Sequence, residues 1–207
     1  EAKQEYPHII KMKNTDRICL FTNLGNMFQI RADKLPKCKI KDKGALVHTL
    51  CRMSNDEDAL LYTAFEDLYE SMLLFTTKGG YIKVVSGAEF ETNRSQIAAT
   101  KLEAGDEVCG VSVLTAGDVL EGVKKVILLT AKGLSLGFPV GEVSELKKTS
   151  RGVKAIALEA GDSLAFSTVV EQDAETFEYE GKTLNAKRVR NRKRAAKGQK
   201  ANLEQTN

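Results

Sequence analysis

The sequence predicts an all-β fold of about four propeller-like blades. Three observations predict it: a motif returns at equal spacing, each copy places a turn glycine between two β-rich apolar runs, and each repeat holds about four short strands in about 50 residues. That period is the period of a propeller blade.

The motif is Ile18-Cys-Leu-Phe-Thr-Asn-Leu-Gly25, echoed by Met72-Leu-Leu-Phe-Thr-Thr-Lys-Gly79 and by Val126-Ile-Leu-Leu-Thr-Ala-Lys-Gly133. Thr22, Thr76 and Thr130 stand 54 residues apart in both intervals. A degraded fourth copy is Thr176-Phe-Glu-Tyr-Glu-Gly181. Each turn leads into a second run: Met27-Phe-Gln-Ile, Tyr81-Ile-Lys-Val-Val or Leu134-Ser-Leu-Gly-Phe. Gly25, Gly79 and Gly133 are therefore expected to supply the positive φ of a tight hairpin loop. None opens a helix, so a phosphate-cradling loop is not indicated.

The second half of each unit also recurs. Asn55-Asp-Glu-Asp, Gly105-Asp-Glu and Gly161-Asp-Ser precede Ala59-Leu-Leu-Tyr-Thr-Ala-Phe, Val108-Cys-Gly-Val-Ser-Val-Leu and Leu164-Ala-Phe-Ser-Thr-Val-Val. Gly-Asp pairs form turns. Residues 56–72 alone fit an amphipathic helix with Leu61, Phe65, Leu68 and Met72 on one face. The repeat assigns them to strand. The units run over about 15–66, 70–120, 124–170 and 175–200, one domain across 1–200, with 201–207 as a C-terminal tail. The run at 5–13 either completes the last blade or is the remnant of an earlier one.

Charge is uneven along the chain. The 207 residues carry a formal +3, but residues 1–180 net −5 and residues 181–207 net +8. Within the units, cations return in the loop joining strands two and three. Nineteen residues past the turn glycine lie Gly44, Ala98 and Gly152, preceded by Cys38-Lys-Ile-Lys-Asp-Lys, Thr92-Asn-Arg-Ser-Gln-Ile and Leu146-Lys-Lys-Thr-Ser-Arg. The fourth loop, two residues shorter, is Arg192-Lys-Arg-Ala-Ala-Lys-Gly198. Cations at equivalent places around a propeller form a curved positive track, suited to the phosphates of a bent duplex. The predicted phosphate contacts are Lys39, Lys41, Lys43, Arg94, Lys147, Lys148, Arg151, Lys154, Lys187, Arg188, Arg190, Arg192, Lys193, Arg194 and Lys197. Over 187–200, Arg188, Arg190, Arg192 and Arg194 share one face if the segment is a strand; a disordered basic tail is the competing reading. The acidic run Glu171, Asp173, Glu175, Glu178 and Glu180 is a solvated loop or a competitor with DNA for this basic end.

The chain resembles the C-terminal domain of bacterial type IIA topoisomerase A subunits, those of gyrase and topoisomerase IV. The likeness covers about residues 15–200. It is most specific where Val126–Gly133 is followed by Ser150-Arg-Gly-Val-Lys-Ala-Ile156 and Leu158-Glu-Ala-Gly-Asp162. It implies a β-pinwheel whose blades exchange strands and whose basic rim binds and bends double-stranded DNA, presenting it to a strand-passing core. It also implies a parent enzyme, an ATP-dependent type II isomerase of A2B2 composition, needing ATP and Mg²⁺ in other domains and the B subunit. The family's gyrase box reads Gln-Arg-Arg-Gly-Gly-Lys-Gly. Its best match here is Arg192–Gly198, in the last unit, with only Lys39, Lys41, Lys43 and Gly44 at the corresponding positions of the first. That favours a topoisomerase IV-like subunit, or a fragment that has lost an earlier blade. The chain opens at Glu1 without an initiator Met, which suits a fragment.

The family's nucleophilic tyrosine stands beside an arginine. None of Tyr6, Tyr62, Tyr69, Tyr81 and Tyr179 does, so no catalytic activity is expected of this piece, and no cofactor. Cys19, Cys38, Cys51, Cys109 and His48 fit no zinc-finger spacing, and no metal is expected. His8 and His48 read as structural. Four sparse cysteines, no leader and no long apolar run suggest a cytoplasmic, nucleoid-associated protein away from membranes. The alternative functions are a protein-interaction propeller with a solubilising basic tail, or an RNA-binding body. The second is weakened by 6% aromatics and no Trp.

Overall fold

A computed structural model describes residues 16–34, 51–121 and 123–204. Fourteen strands are assigned among them. The first unit gives β1 (Arg17–Thr22), β2 (Asn26–Arg31) and β3 (Ala59–Ala64). The second gives β4 (Met72–Thr77), β5 (Tyr81–Ser86), β6 (Gln96–Ala98) and β7 (Val108–Leu114). The third gives β8 (Lys124–Thr130), β9 (Leu134–Pro139), β10 (Val153–Lys154) and β11 (Leu164–Glu171). The fourth gives β12 (Thr176–Tyr179), β13 (Lys182–Asn185) and β14 (Gln199–Lys200).

The sheets run in the orders β3-β1-β2-β6, β10-β5-β4-β7, β11-β8-β9-β14 and β12-β13, and all these pairings are antiparallel. Each complete sheet thus holds three strands of its own unit. Its fourth strand comes from the next unit: β6 lies on β2, β10 on β5 and β14 on β9. The exchange that the family resemblance implies is present.

Apolar alternation explains how the blades stack. In a strand successive side chains face opposite ways. On β4, Leu73 and Phe75 join Cys19, Phe21 and Met27 of the first blade, whereas Met72 and Leu74 join Val126, Leu128, Leu136 and Phe138 of the third. On β8, Ile127 and Leu129 turn instead to Phe177 and Leu184 of the fourth. Both faces are covered, so β4 and β8 carry unbroken apolar runs at Met72–Phe75 and Val126–Leu129. Phe21 meets Phe75 and Phe90 edge-on, with ring centroids 5.9 and 5.1 Å away. Where blades adjoin, the last strand of one unit meets the hairpin turn of the unit before it: Val108 N donates to Asn23 O and Leu164 N to Lys78 O, both at 2.8 Å. The exchanged strands lie at the opposite edges.

Three readings of the sequence change. First, the second unit is shifted by one residue. Its turn bond is Gly80 N to Thr77 O, matching Gly25 to Thr22 and Gly133 to Thr130. The hydroxyls of Thr22, Thr77 and Thr130 each accept from the first residue of the following strand. The positive φ is at Gly80 (+89°), not Gly79, because the hairpin needs its left-handed residue next to β5. Second, residues 59–64 are strand, as the repeat requires, but one helical turn follows at Phe65–Tyr69 and seats Leu68 in the core. Third, the basic end is neither a single strand nor a disordered tail. Residues 186–188 form a 3₁₀ turn, 189–198 are irregular but hydrogen-bonded to the preceding unit, and only 199–200 are strand. The next residues stay attached, with Asn185 N donating to Leu203 O at 2.8 Å. The fourth hairpin turns on two left-handed residues, Glu180 (φ +48°) and Gly181 (+75°). The run at 5–13, with Tyr6 and His8, and Cys38, Gly44 and His48 lie outside the described residues.

Candidate nucleic-acid interface

The linking segments that donate β6, β10 and β14 carry the candidate cations. Each is fastened to the blade before it through its own carbonyls. In the second unit, Gln29 Nε2 donates to Thr92 O and Arg94 O, both at 2.6 Å, and Arg17 to Thr92 O. In the third, Lys83 Nζ donates to Lys147 O (3.0 Å), Lys148 O (3.2 Å) and Ser150 O (2.5 Å). In the fourth, Lys125 Nζ donates to Ala186 O and Val189 O. An ammonium can be buried this way because carbonyl dipoles replace part of its hydration. Lys83 is 1% exposed. Burial lowers it to about 8, with Glu89 pulling weakly the other way. Burial also lowers Lys125.

The onset of the exchange into the second sheet needs close approach. Gly152 has φ +99°, and a Cβ there would stand 2.6 Å from Ile82 O. Register makes Gly152, Gln96 and Gly198 equivalent, since Lys154 faces Tyr81, Ala98 faces Asn26 and Lys200 faces Leu134. The position equivalent to Gly152 is therefore Gln96, sixteen residues past Gly80, and not Ala98, nineteen past Gly79. The second unit's link is shorter between its turn and its exchanged strand.

Successive links touch. Thr100 Oγ1 and Lys101 N both donate to Ser150 O, joining the second link to the third. Arg194 donates to Lys154 O at 2.6 Å, Ala195 N to Ala155 O and Ala157 N to Ala196 O, joining the third to the fourth.

The candidate cations fall into three groups. Arg94, Lys147, Lys154, Arg190, Lys193 and Lys197 are exposed, with no side-chain partner among the described residues. Arg151 pairs with Glu103 at 2.8 Å and lies over the Tyr81 ring, and Lys187 pairs with Glu175 at 3.3 Å. Lys148, Arg188, Arg192 and Arg194 spend donors on main-chain carbonyls: Glu89 O, Asn202 O, Lys197 O, and Glu142 O with Lys154 O. These last three arginines therefore share no single face. Lys39, Lys41 and Lys43 lie outside the described residues. The acidic run touches the basic end through Glu175 and Lys187 alone among the described ion pairs.

Sequence reasoning missed Lys83 and Lys125, which look like ordinary strand lysines, and the exposed Lys101 and Lys200 on the links. Among the described residues, no cluster of three His, Cys, Asp or Glu side chains forms a metal site, and no helix is long and apolar enough to cross a membrane.

Comparison with known proteins places this architecture. A family model described as "DNA gyrase C-terminal domain, beta-propeller" matches residues 16–44, 71–115, 124–171 and 181–204. The DNA gyrase A subunit of Helicobacter pylori (strain ATCC 700392 / 26695) is 31% identical over 163 residues, covering 77% of this chain and 19% of that protein. The DNA gyrase A subunit of Haloquadratum walsbyi is 29% identical over 195 residues, covering 88% and 22%. The chain thus spans about a fifth of the relatives it matches. Among solved structures, the C-terminal domain of DNA topoisomerase IV is similar at TM-score 0.77 and 24% identity, over 90% of this chain and 58% of that one. The DNA gyrase A C-terminal domain is similar at TM-score 0.65 and 22% identity, over 91% and 60%. These two likenesses speak to the fold.

Proposed function

This chain belongs to the family of DNA gyrase C-terminal β-propeller domains, and on that premise we propose that it binds duplex DNA along its linking segments and bends it without reading base sequence. The observation that carries this reading is the row of links, hydrogen-bonded one to the next and bearing six unpaired, exposed cations. Phosphate contacts position a duplex and carry no sequence information. Six of them give a salt dependence with log–log slope of about −5 and weaken binding roughly 10³-fold between about 50 and 200 mM salt.

Bending a short site costs on the order of a few kcal/mol, which several contacts offset. In the parent protein, the A subunit of gyrase or of a topoisomerase IV-like enzyme, the bent segment is presented to the strand-passing core. Cleavage, ATP and Mg²⁺ then belong to the other domains of that polypeptide and to a B subunit, joined in an A2B2 assembly in the cytoplasm on the nucleoid. The domain itself is non-catalytic and takes no cofactor.

The test is duplex binding by fluorescence anisotropy across a salt series. A flat salt response refutes the reading. Ligating a nicked circle on the domain then separates wrapping, which shifts linking number, from simple bending, which does not. A second reading, a protein-interaction module, draws on the exposed Tyr69, Leu120 and Val123; Leu120 is 86% exposed. It gains if duplex binding is absent at about 50 mM salt.

A further inference from the structure

Lys83 is a buried cation beneath a cationic loop. Its ammonium has no carboxylate within ion-pair distance among the described residues. What surrounds it is the main chain of residues 147–150, through three carbonyls, and the Phe75 ring, 5.6 Å from Nζ. This arrangement dictates where the amides point. In a trans peptide the C=O and the following N–H are antiparallel. Carbonyls 147, 148 and 150 aim inward at Lys83, so the N–H groups of Lys148, Thr149 and Arg151 aim away from it. None of these three N–H groups donates to a protein acceptor among the described residues. By contrast Ser150 N is bonded to Lys147 O and Gly152 N to Ser150 Oγ. Thr149 and Arg151 are exposed, and Lys147 adds an unpaired ammonium beside them. Outward-facing amides next to cationic side chains are the chemistry that holds a phosphate.

We propose that segment 147–151 is a main-chain phosphate site for the duplex backbone, and that Lys83 is its positioning residue, holding three carbonyls inward so that three amides are free to face a phosphodiester. This rests on the DNA-binding reading above and adds a defined site to it. Exposed lysines alone would give diffuse attraction. A fixed set of amides gives one phosphate a fixed place, which sets where the duplex rests on the third blade.

The test uses the full chain, isotopically labelled for amide NMR, with a short mixed-sequence duplex and, separately, inorganic phosphate. The expected result is that duplex moves the Lys148, Thr149 and Arg151 amides, while inorganic phosphate does so only at far higher concentration. In Lys83→Met those amides stay still on adding duplex, and the magnitude of the salt slope of binding falls by about 0.9, the loss of one phosphate contact. If Lys83→Met does not fold, Thr149→Pro removes one of the three donors with Lys83 intact, and the same fall in slope is expected.

Duplex binding with these amides unmoved overturns the site and leaves the DNA reading standing. Saturation by inorganic phosphate but not by duplex overturns the assignment to DNA. Lys148, Thr149 and Arg151 amides that still move with duplex as in the unaltered chain, with an unchanged slope, in a folded Lys83→Met overturn the positioning role, and an unchanged slope in Thr149→Pro overturns the use of that amide. Absence of any duplex binding by the unaltered chain removes the DNA reading itself.

Discussion

Replacing Gly152 by alanine tests the join between the second and third blades. Two penalties apply at this position. Its φ of +99° is one that side chains resist, at about 1–2 kcal/mol. A Cβ there would also stand 2.6 Å from Ile82 O, 2.9 Å from Ile82 C and 3.3 Å from Ile82 N. These are main-chain atoms inside β5, held on both sides, so they cannot swing aside as a side chain would. Forcing atoms into such a space costs about 1–3 kcal/mol more. The sum is about 2–5 kcal/mol, or roughly 4–20 °C in Tm for a chain of this size. Gly133→Ala is the matched control. Its φ is +84°, but nothing lies within 4 Å of its added Cβ, so it carries the conformational penalty alone, about 1–2 kcal/mol. Both variants would be followed by thermal unfolding under identical buffer conditions. If Gly152→Ala loses no more stability than Gly133→Ala, the link does not approach β5 as closely as described.

Neutralising Arg190, Lys193 and Lys197 to glutamine should weaken duplex binding and reduce the magnitude of its salt slope by up to about 2.7, leaving Tm nearly unchanged. Arg194→Gln, which loses bonds to Glu142 O and Lys154 O, should instead lower Tm, as seen by calorimetry. Burial lowers Lys83 to about 8 from 10.5, so the folded chain releases this proton before the unfolded chain does. Its contribution to stability therefore rises with pH between those values. Glu89, Lys147, Lys148 and Arg151 are the charged neighbours on the adjoining segments. The Tm of the unaltered chain should rise relative to that of Lys83→Met across that window, and a constant difference would contradict the burial. Ala195 sits at φ +68° without being glycine. Ala195→Gly should relieve about 1–2 kcal/mol of strain against about 0.5–1 kcal/mol of added chain entropy, a small net rise in Tm.

The hairpins were legible because their chemistry is local: a threonine, a three-residue turn and a glycine with positive φ. The second unit misled by offering doublets, Thr76-Thr77 and Gly79-Gly80, that satisfy the motif in either register. Only pairing with neighbouring strands chooses between them. The repeat alone leaves the exchanged strands in their own blades, because β10 and β14 are two residues long. Nothing so short announces that its partner lies one unit back. For the candidate site, the recurrence of cations in the links was legible. Which cations face outward was not. Arg188, Arg192 and Arg194 look the same in sequence as Arg190, yet they tie down carbonyls. Lys83 lies between Ile82 and Val84, both buried, and strand alternation would send it to solvent. Its true setting depends on a loop 64 residues further on.

Borrowing a strand from the next unit also fixes an order of events during synthesis. A chain made from its N-terminus can form β1, β2 and β3 early, but the outer edge of that sheet stays bare until residues 96–98 have emerged. The second sheet waits for 153–154 and the third for 199–200. Until then the waiting edge of each sheet, β2, β5 or β9, is a site open to mispairing with a neighbouring chain. Truncation after any unit would recreate that state permanently. The domain should therefore not be divisible into stable single blades, and shortened versions should associate through the edge they leave exposed.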